Sequence, residues 1–169
     1  ICIVAGTATA YLKVRKNSKA ARMFESAASL TYALPGIVLA LAMIFHWTIV
    51  PGVYGTVKIL MIAYATRYVV LQIKGSTTAM LSVEPALEEA GRVFGAGKVT
   101  IWRKIMIPVM AKQILSSSFL IFVSSLTELT LSSMLASAGT KTIGLTIFNL
   151  QQGGDYSLSA AMSAVIVFI

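Results

Sequence analysis

The chain has 169 residues, of which 57% are hydrophobic and only 12% charged, with a formal net charge of +8. A soluble core cannot absorb so large an apolar fraction, so the pattern to look for is runs of roughly 20 apolar residues, the length that crosses a bilayer's hydrocarbon. In a soluble protein the positive balance would suggest nucleic acid. Here the cations are segregated into alternate loops, which points to membrane topology and to no nucleic-acid partner.

Taken in chain order, apolar runs fall at about 1–12, 30–47, 56–73, 109–136 and 156–169. They predict an all-α, polytopic helical membrane protein forming a single transmembrane domain over 1–169. The first and last runs are short and the chain lacks a starting Met, so the expectation is a fragment truncated at both ends. Lys13, Arg15, Lys16, Lys19 and Arg22 fill residues 13–29, and Lys74, Arg92, Lys98, Arg103, Lys104 and Lys112 dominate the next basic loop. Residues 46–55 carry no Lys or Arg and 136–156 only Lys141, so residues 13–29 and 74–108 are expected in the cytoplasm. The first basic cluster reads as topological retention with contact to anionic membrane lipid. Its cations follow the apolar run rather than precede it, so a cleavable targeting peptide is not expected. Cys2 is the sole cysteine, which excludes an internal disulfide and leaves packing as its reading. No metal site and no cofactor are expected.

Between helices in lipid, association relies on small residues and hydroxyls. Gly36 and Ala40 form a small-xxx-small pair, and Ser116, Ser117, Ser118, Ser124, Ser125, Ser132 and Ser133 run along the fourth apolar stretch. The serines admit two readings, helix packing or a hydroxyl-lined path, with packing ahead because serine also bonds its own i−4 carbonyl. Three ionisable residues interrupt apolar stretches, a costly placement that marks them for function by default. Lys58 and Arg67 lie near opposite ends of their run, and both are expected to reach the headgroups. Glu128 has only apolar or hydroxyl neighbours and reads equally as a translocation-path candidate or as a protonated or locally paired glutamate at a helix interface. His46 and Trp47 end a span, where amphipathic rings anchor at the interface, and the scattered methionines read as packing.

Within 74–108 the pattern turns amphipathic. Pro85 suits a first helical turn, Glu88 and Glu89 complement the positive helix end, and Leu87, Ala90 and Phe94 share a face. Gly95 ends that helix, a second short one covers 98–107, and Pro108 closes it. Patterning alone leaves docking site and interfacial loop equally open.

Glu89, Ala90, Gly91 and then Gly95, followed after nine residues by Ile105, Met106, Ile107 and Pro108, resemble the EAA loop of MetI-like permease subunits of bacterial binding-protein-dependent ABC importers. Gly91 stands where that motif has a second alanine, which loosens a helix by roughly 1 kcal/mol, and Ile107 stands for leucine. The segments 32–36 and 128–132 are also similar to these permeases, most of all to the ferric-iron-type group. The resemblance implies a MetI-like core and a coupling helix that docks on an ABC ATPase subunit through Glu88, Glu89, Ala90, Gly91 and Gly95, with Ile105 and Pro108 fixing the return. It also implies a second permease copy or half, and a periplasmic or lipid-anchored substrate-binding protein facing 138–151, with ferric iron as the suggested cargo. The chain is then not an enzyme, since ATP hydrolysis belongs to the partner. An ion-coupled secondary transporter or channel component is the alternative, motivated by Glu128 and the serines. The run Gly95, Ala96, Gly97, Lys98 mimics a phosphate-binding loop, but Arg92 occupies the position of the first required glycine and Val99 that of the hydroxyl residue.

Overall fold

The computed structural model describes residues 1–137 and 139–168, and all regular structure among them is helical. Ala138, where the expected 138–151 segment begins, and Ile169, where the expected last span ends, lie outside the described residues. The elements are α1 (Cys2–Val14), α2 (Lys19–Ala33), α3 (Gly36–Trp47), α4 (Val57–Leu81), α5 (Pro85–Val93), α6 (Lys98–Ile101), a π-helical turn (Trp102–Met106), α7 (Ile107–Leu126), α8 (Thr130–Leu135), α9 (Ile143–Gln152) and α10 (Tyr156–Val167).

Helix ends differ from the apolar runs in three places. The stretch 30–47 is two helices, because Pro35 takes an extended conformation (φ −54°, ψ 136°) and disfavours helical geometry at the residue before it. Its first part belongs to α2, so much of 13–29 is helical rather than loop. Downstream, α4 runs past Lys74 to Leu81. The stretch 109–136 separates into α7 and α8 around 127–129.

Lys98–Leu126 is one continuous helix of 29 residues, about 43 Å at 1.5 Å per residue, and is long and apolar enough to cross a membrane. Helices α2 and α3 meet that test only together, as a broken pair, while α1 and α10 are apolar but shorter. Pro108 lies inside the long helix instead of ending the element before it. The widened π turn immediately upstream answers its missing N–H and the clash of its ring with the preceding turn.

The chain forms two compact units, one of residues 1–32 and 68–121, the other of 33–67 and 122–168. In the first, Gln72 is fully buried on α4 and donates to Ser76 Oγ (3.2 Å) while accepting from Ser118 Oγ (3.0 Å). Ser76 also shares a hydrogen bond with Thr7 on α1 (3.2 Å), so one satisfied polar seam joins α1, α4 and α7. Glycines permit the approach: a Cβ on Gly6 would come within 2.5 Å of Gln72 Cγ, and one on Gly75 would overlap the Ser117 side chain. Apolar packing flanks the seam through Ala79, Met80, Val83, Ile101, Met106 and Met110 on one side and Ala28, Val69, Val70 and Ile73, with Cys2 against them, on the other.

The second unit is built on α3 packed against α8. Leu39, Ala40, Ile59, Leu60, Ala63, Leu131 and Leu135 form its core, with Trp47 and Tyr64 partly buried against it. Gly36 lets α3 close on α8, since a Cβ there would lie 3.1 Å from Thr130. Helices α9 and α10 pack on each other, and Thr142 caps α9 by accepting from Leu145 N–H (3.3 Å).

Candidate functional site

Helix α5 begins as its sequence dictates. Pro85 occupies the first turn, where its absent N–H loses no intrahelical bond. It ends in a Schellman closure: Gly95 N–H bonds Arg92 O (2.9 Å), Ala96 N–H bonds Gly91 O (2.9 Å), and Gly95 takes φ +74°. That left-handed conformation is where glycine is needed, for the space around Gly95 is open and a side chain would meet no atom within 4 Å.

The helix has two dissimilar faces. Inward, Gly91 sits so close to the following segment that a Cβ would lie 3.1 Å from both Ile101 and Ile105. The departure of Gly91 from the EAA pattern therefore goes with tight packing across the elbow. Glu88 is also turned inward and 8% exposed. Its Oε1 accepts from Arg15 Nε at 2.6 Å, while Arg15 Nη2 donates to Val83 O at 2.7 Å. Arg92 lies 3.8 Å from the other oxygen of Glu88. A charge-assisted, two-point bond thus straps α5 and the turn before it to the end of α1. Outward, Glu89 and Ala90 are exposed, with Val93 at 84% and Phe94 at 90%.

Of the residues expected in the coupling surface, Glu89, Ala90 and Gly95 lie on the open face. Glu88, Gly91 and Ile105 lie on the packed one, and Pro108 is exposed within the long helix. Arg15 carries no distinguishing signal in the sequence, being one of five cations in its cluster. Gln72 did carry a signal, an amide within an apolar run.

Glu128 lies in the other unit, between α7 and α8. Its Oε2 is 3.7 Å from Arg67 Nε, and its Oε1 accepts from Leu131 N–H at 3.1 Å, satisfying an amide of the first turn of α8. Arg67 does not reach out to headgroups as expected. Its Nη1 donates to Leu34 O (3.1 Å), a carbonyl beside the break before α3, and its buried Nε has no hydrogen bond within reach. One turn earlier on α4, the Tyr64 hydroxyl hydrogen-bonds Ser132. The helix breaks on either side of this pair thus expose a carbonyl and an amide, and one arginine and one glutamate take them up. Ser116, Ser117 and Ser118 each donate to the carbonyl four residues back. Among the described residues no cluster of three or more His, Cys, Asp or Glu side chains could hold a metal ion.

Comparison with known proteins adds the following. The family model described as the binding-protein-dependent transport system inner membrane component matches residues 2–169. The ferric transport system permease protein FbpB of Actinobacillus pleuropneumoniae is 25% identical over 97% of this chain and 24% of its own length. The Fe(3+)-transport system permease protein FbpB 2 of Haemophilus influenzae is 22% identical over 82% of this chain and 28% of its own length. The chain therefore spans about a quarter of the length of these curated relatives. Among solved structures, that of the MetNI methionine ABC transporter in inward-facing conformations superposes with a TM-score of 0.72 at 19% identity, covering 99% of this chain and 78% of that one.

Proposed function

We propose a role that proceeds from one premise: the chain belongs to the family of binding-protein-dependent transport system inner membrane components, and its all-helical fold is the MetI-like permease fold. The role is that of a transmembrane permease segment of an ATP-driven importer, contributing to the solute path and coupled through α5 and the Gly95 elbow to a separate ATPase subunit. The observation that carries it is the open face of α5, where Glu89, Ala90, Val93 and Phe94 stand exposed on a helix whose other face is tied down by Arg15 and packed against Ile101 and Ile105. A surface tied down from behind and left uncovered, with two large apolar side chains beside a carboxylate, is what a docking site for another subunit requires.

In this reading residues 13–29 and 74–108 face the cytoplasm, on the strength of their cations. A second permease copy or half and a substrate-binding protein complete the assembly, and ATP is hydrolysed in the partner alone. Ferric iron is the proposed cargo, supported by the two relatives whose names carry it. Glu128 enters the proposal as the partner of Arg67 and the cap of α8, placed to hold the wall of a solute path in shape.

Gly95→Trp tests the coupling surface in the full-length transporter. The change is expected to leave membrane insertion intact and to abolish both uptake and co-purification of the ATPase. Gly97→Trp, equally open but at an ordinary φ of −69°, serves as the neighbour for comparison. Uptake at the parent rate in the Gly95→Trp protein would refute the coupling role. Accumulation of solute in vesicles that hold only this protein and an ion gradient would establish the ion-coupled alternative instead.

A further inference from the structure

We propose that the cavity between the end of α1 and the α5–α6 elbow binds the anionic headgroup of a membrane phospholipid, an inference that rests on the cytoplasmic placement of that elbow. The cavity has a volume of about 540 Å³, and its lining includes Tyr11, Lys16, Glu88, Arg92, Lys98 and Trp102. A smaller one of about 250 Å³ also involves Tyr11, Lys16, Glu88 and Arg92, and adds Arg15 together with a second carboxylate, Glu89.

Charge selects an anion. Glu88 is the single carboxylate of the larger lining, and it is already engaged by Arg15 at 2.6 Å and by Arg92 at 3.8 Å. Neither Lys16 nor Lys98 has a carboxylate partner among the described residues, so the lining carries uncompensated positive charge. The apolar part selects a lipid over a free ion. Tyr11 and Trp102 meet edge to face at 5.2 Å between ring centroids, and amphipathic rings of this kind favour the headgroup level of a bilayer. Leu12 and Val99, each next to a lining residue, are 44% and 80% exposed, an apolar margin suited to the glycerol and first methylenes of a lipid. Inorganic phosphate makes no use of an aromatic floor or of an apolar margin. The position also follows from topology, since cations beside an apolar span on the cytoplasmic side attract anionic lipid.

Thermal melting of the full-length protein in detergent, titrated with short-chain phosphatidylglycerol, reads the site. The melting temperature is expected to rise with phosphatidylglycerol and to stay constant with phosphatidylcholine of the same chain length and with inorganic phosphate. In the double variant Lys16→Gln/Lys98→Gln the concentration for half-effect should increase about thirtyfold, as two lost contacts of this kind imply. Lys19→Gln/Lys104→Gln removes the same charge from the same two basic stretches outside the cavity and should titrate like the parent. An equal response to inorganic phosphate would overturn the lipid assignment in favour of a free anion. An equal loss in the second double variant, or no response to phosphatidylglycerol at all, would overturn the site. An unchanged lipid response, with loss of ATPase co-purification from the Lys16→Gln/Lys98→Gln protein, would overturn it in favour of an acidic segment of that partner. Val99→Cys, made in a background whose native cysteines, Cys2 included, are replaced by serine, separates this failure from failure of the underlying topology: labelling from the outer side of the inner membrane would defeat the topology itself, whereas labelling from the cytoplasmic side alone leaves the headgroup site as the only idea at stake.

Discussion

Arg67 and Glu128 show what an isolated charge becomes when its neighbours are seen. Each was conspicuous in the sequence as an ionisable residue in an apolar run, yet nothing in either run named the other as its partner, because pairing depends on how α4 meets the start of α8. The same blindness hid Arg15, whose four basic neighbours look identical to it until Glu88 is found 2.6 Å away. The pair is partly buried, with side chains 17% and 10% exposed, so removing one member leaves a partly desolvated charge without compensation at a cost of about 1–3 kcal/mol, whereas removing both is milder. Arg67→Met is therefore expected to lower the melting temperature of the purified protein sharply, and Arg67→Met/Glu128→Gln to recover much of the loss. Additive losses in the double variant would show that the two side chains act independently.

At the level of elements, the amphipathic helix beginning at Pro85 and its glycine stop were legible, since proline and glycine act through backbone geometry that needs no tertiary context. Gly95→Ala forces a side chain into φ +74° and should destabilise the elbow by about 1 kcal/mol, while Gly97→Ala, at φ −69°, should be nearly neutral. Amide exchange at Gly95 and Ala96, whose N–H groups close the Schellman turn, is the measurement: faster exchange is expected in the first variant only. Continuity of helices was less legible. Hydropathy treats 30–47 and 109–136 as unbroken because it weighs side chains and ignores which backbone groups remain bonded. Pro35 breaks a helix while Pro108 is carried through one, and the difference lies in the π turn at Trp102–Met106, which has no counterpart in residue type or spacing.

For the whole molecule, composition identified the all-helical class and cation placement suggested a topology, while the family followed from the spacing of one short loop. The division into two compact units left no mark on the sequence, because α4 and α7 each supply residues to both and no linker composition separates them. The Arg15 strap has a mechanical consequence in the proposed importer. A push delivered to the open face of α5 has two routes onward, a covalent one through the chain to α4 and α7, and a bonded one through Arg15 to α1. Only the second can slip. Arg15→Gln should therefore behave as a worn clutch: the ATPase stays bound and continues to turn over, while solute carried per ATP falls because α1 no longer follows the stroke. Side-by-side measurement of hydrolysis and uptake in vesicles tests this, and an unchanged ratio between them would show that the engagement of α1 contributes nothing to the transport stroke.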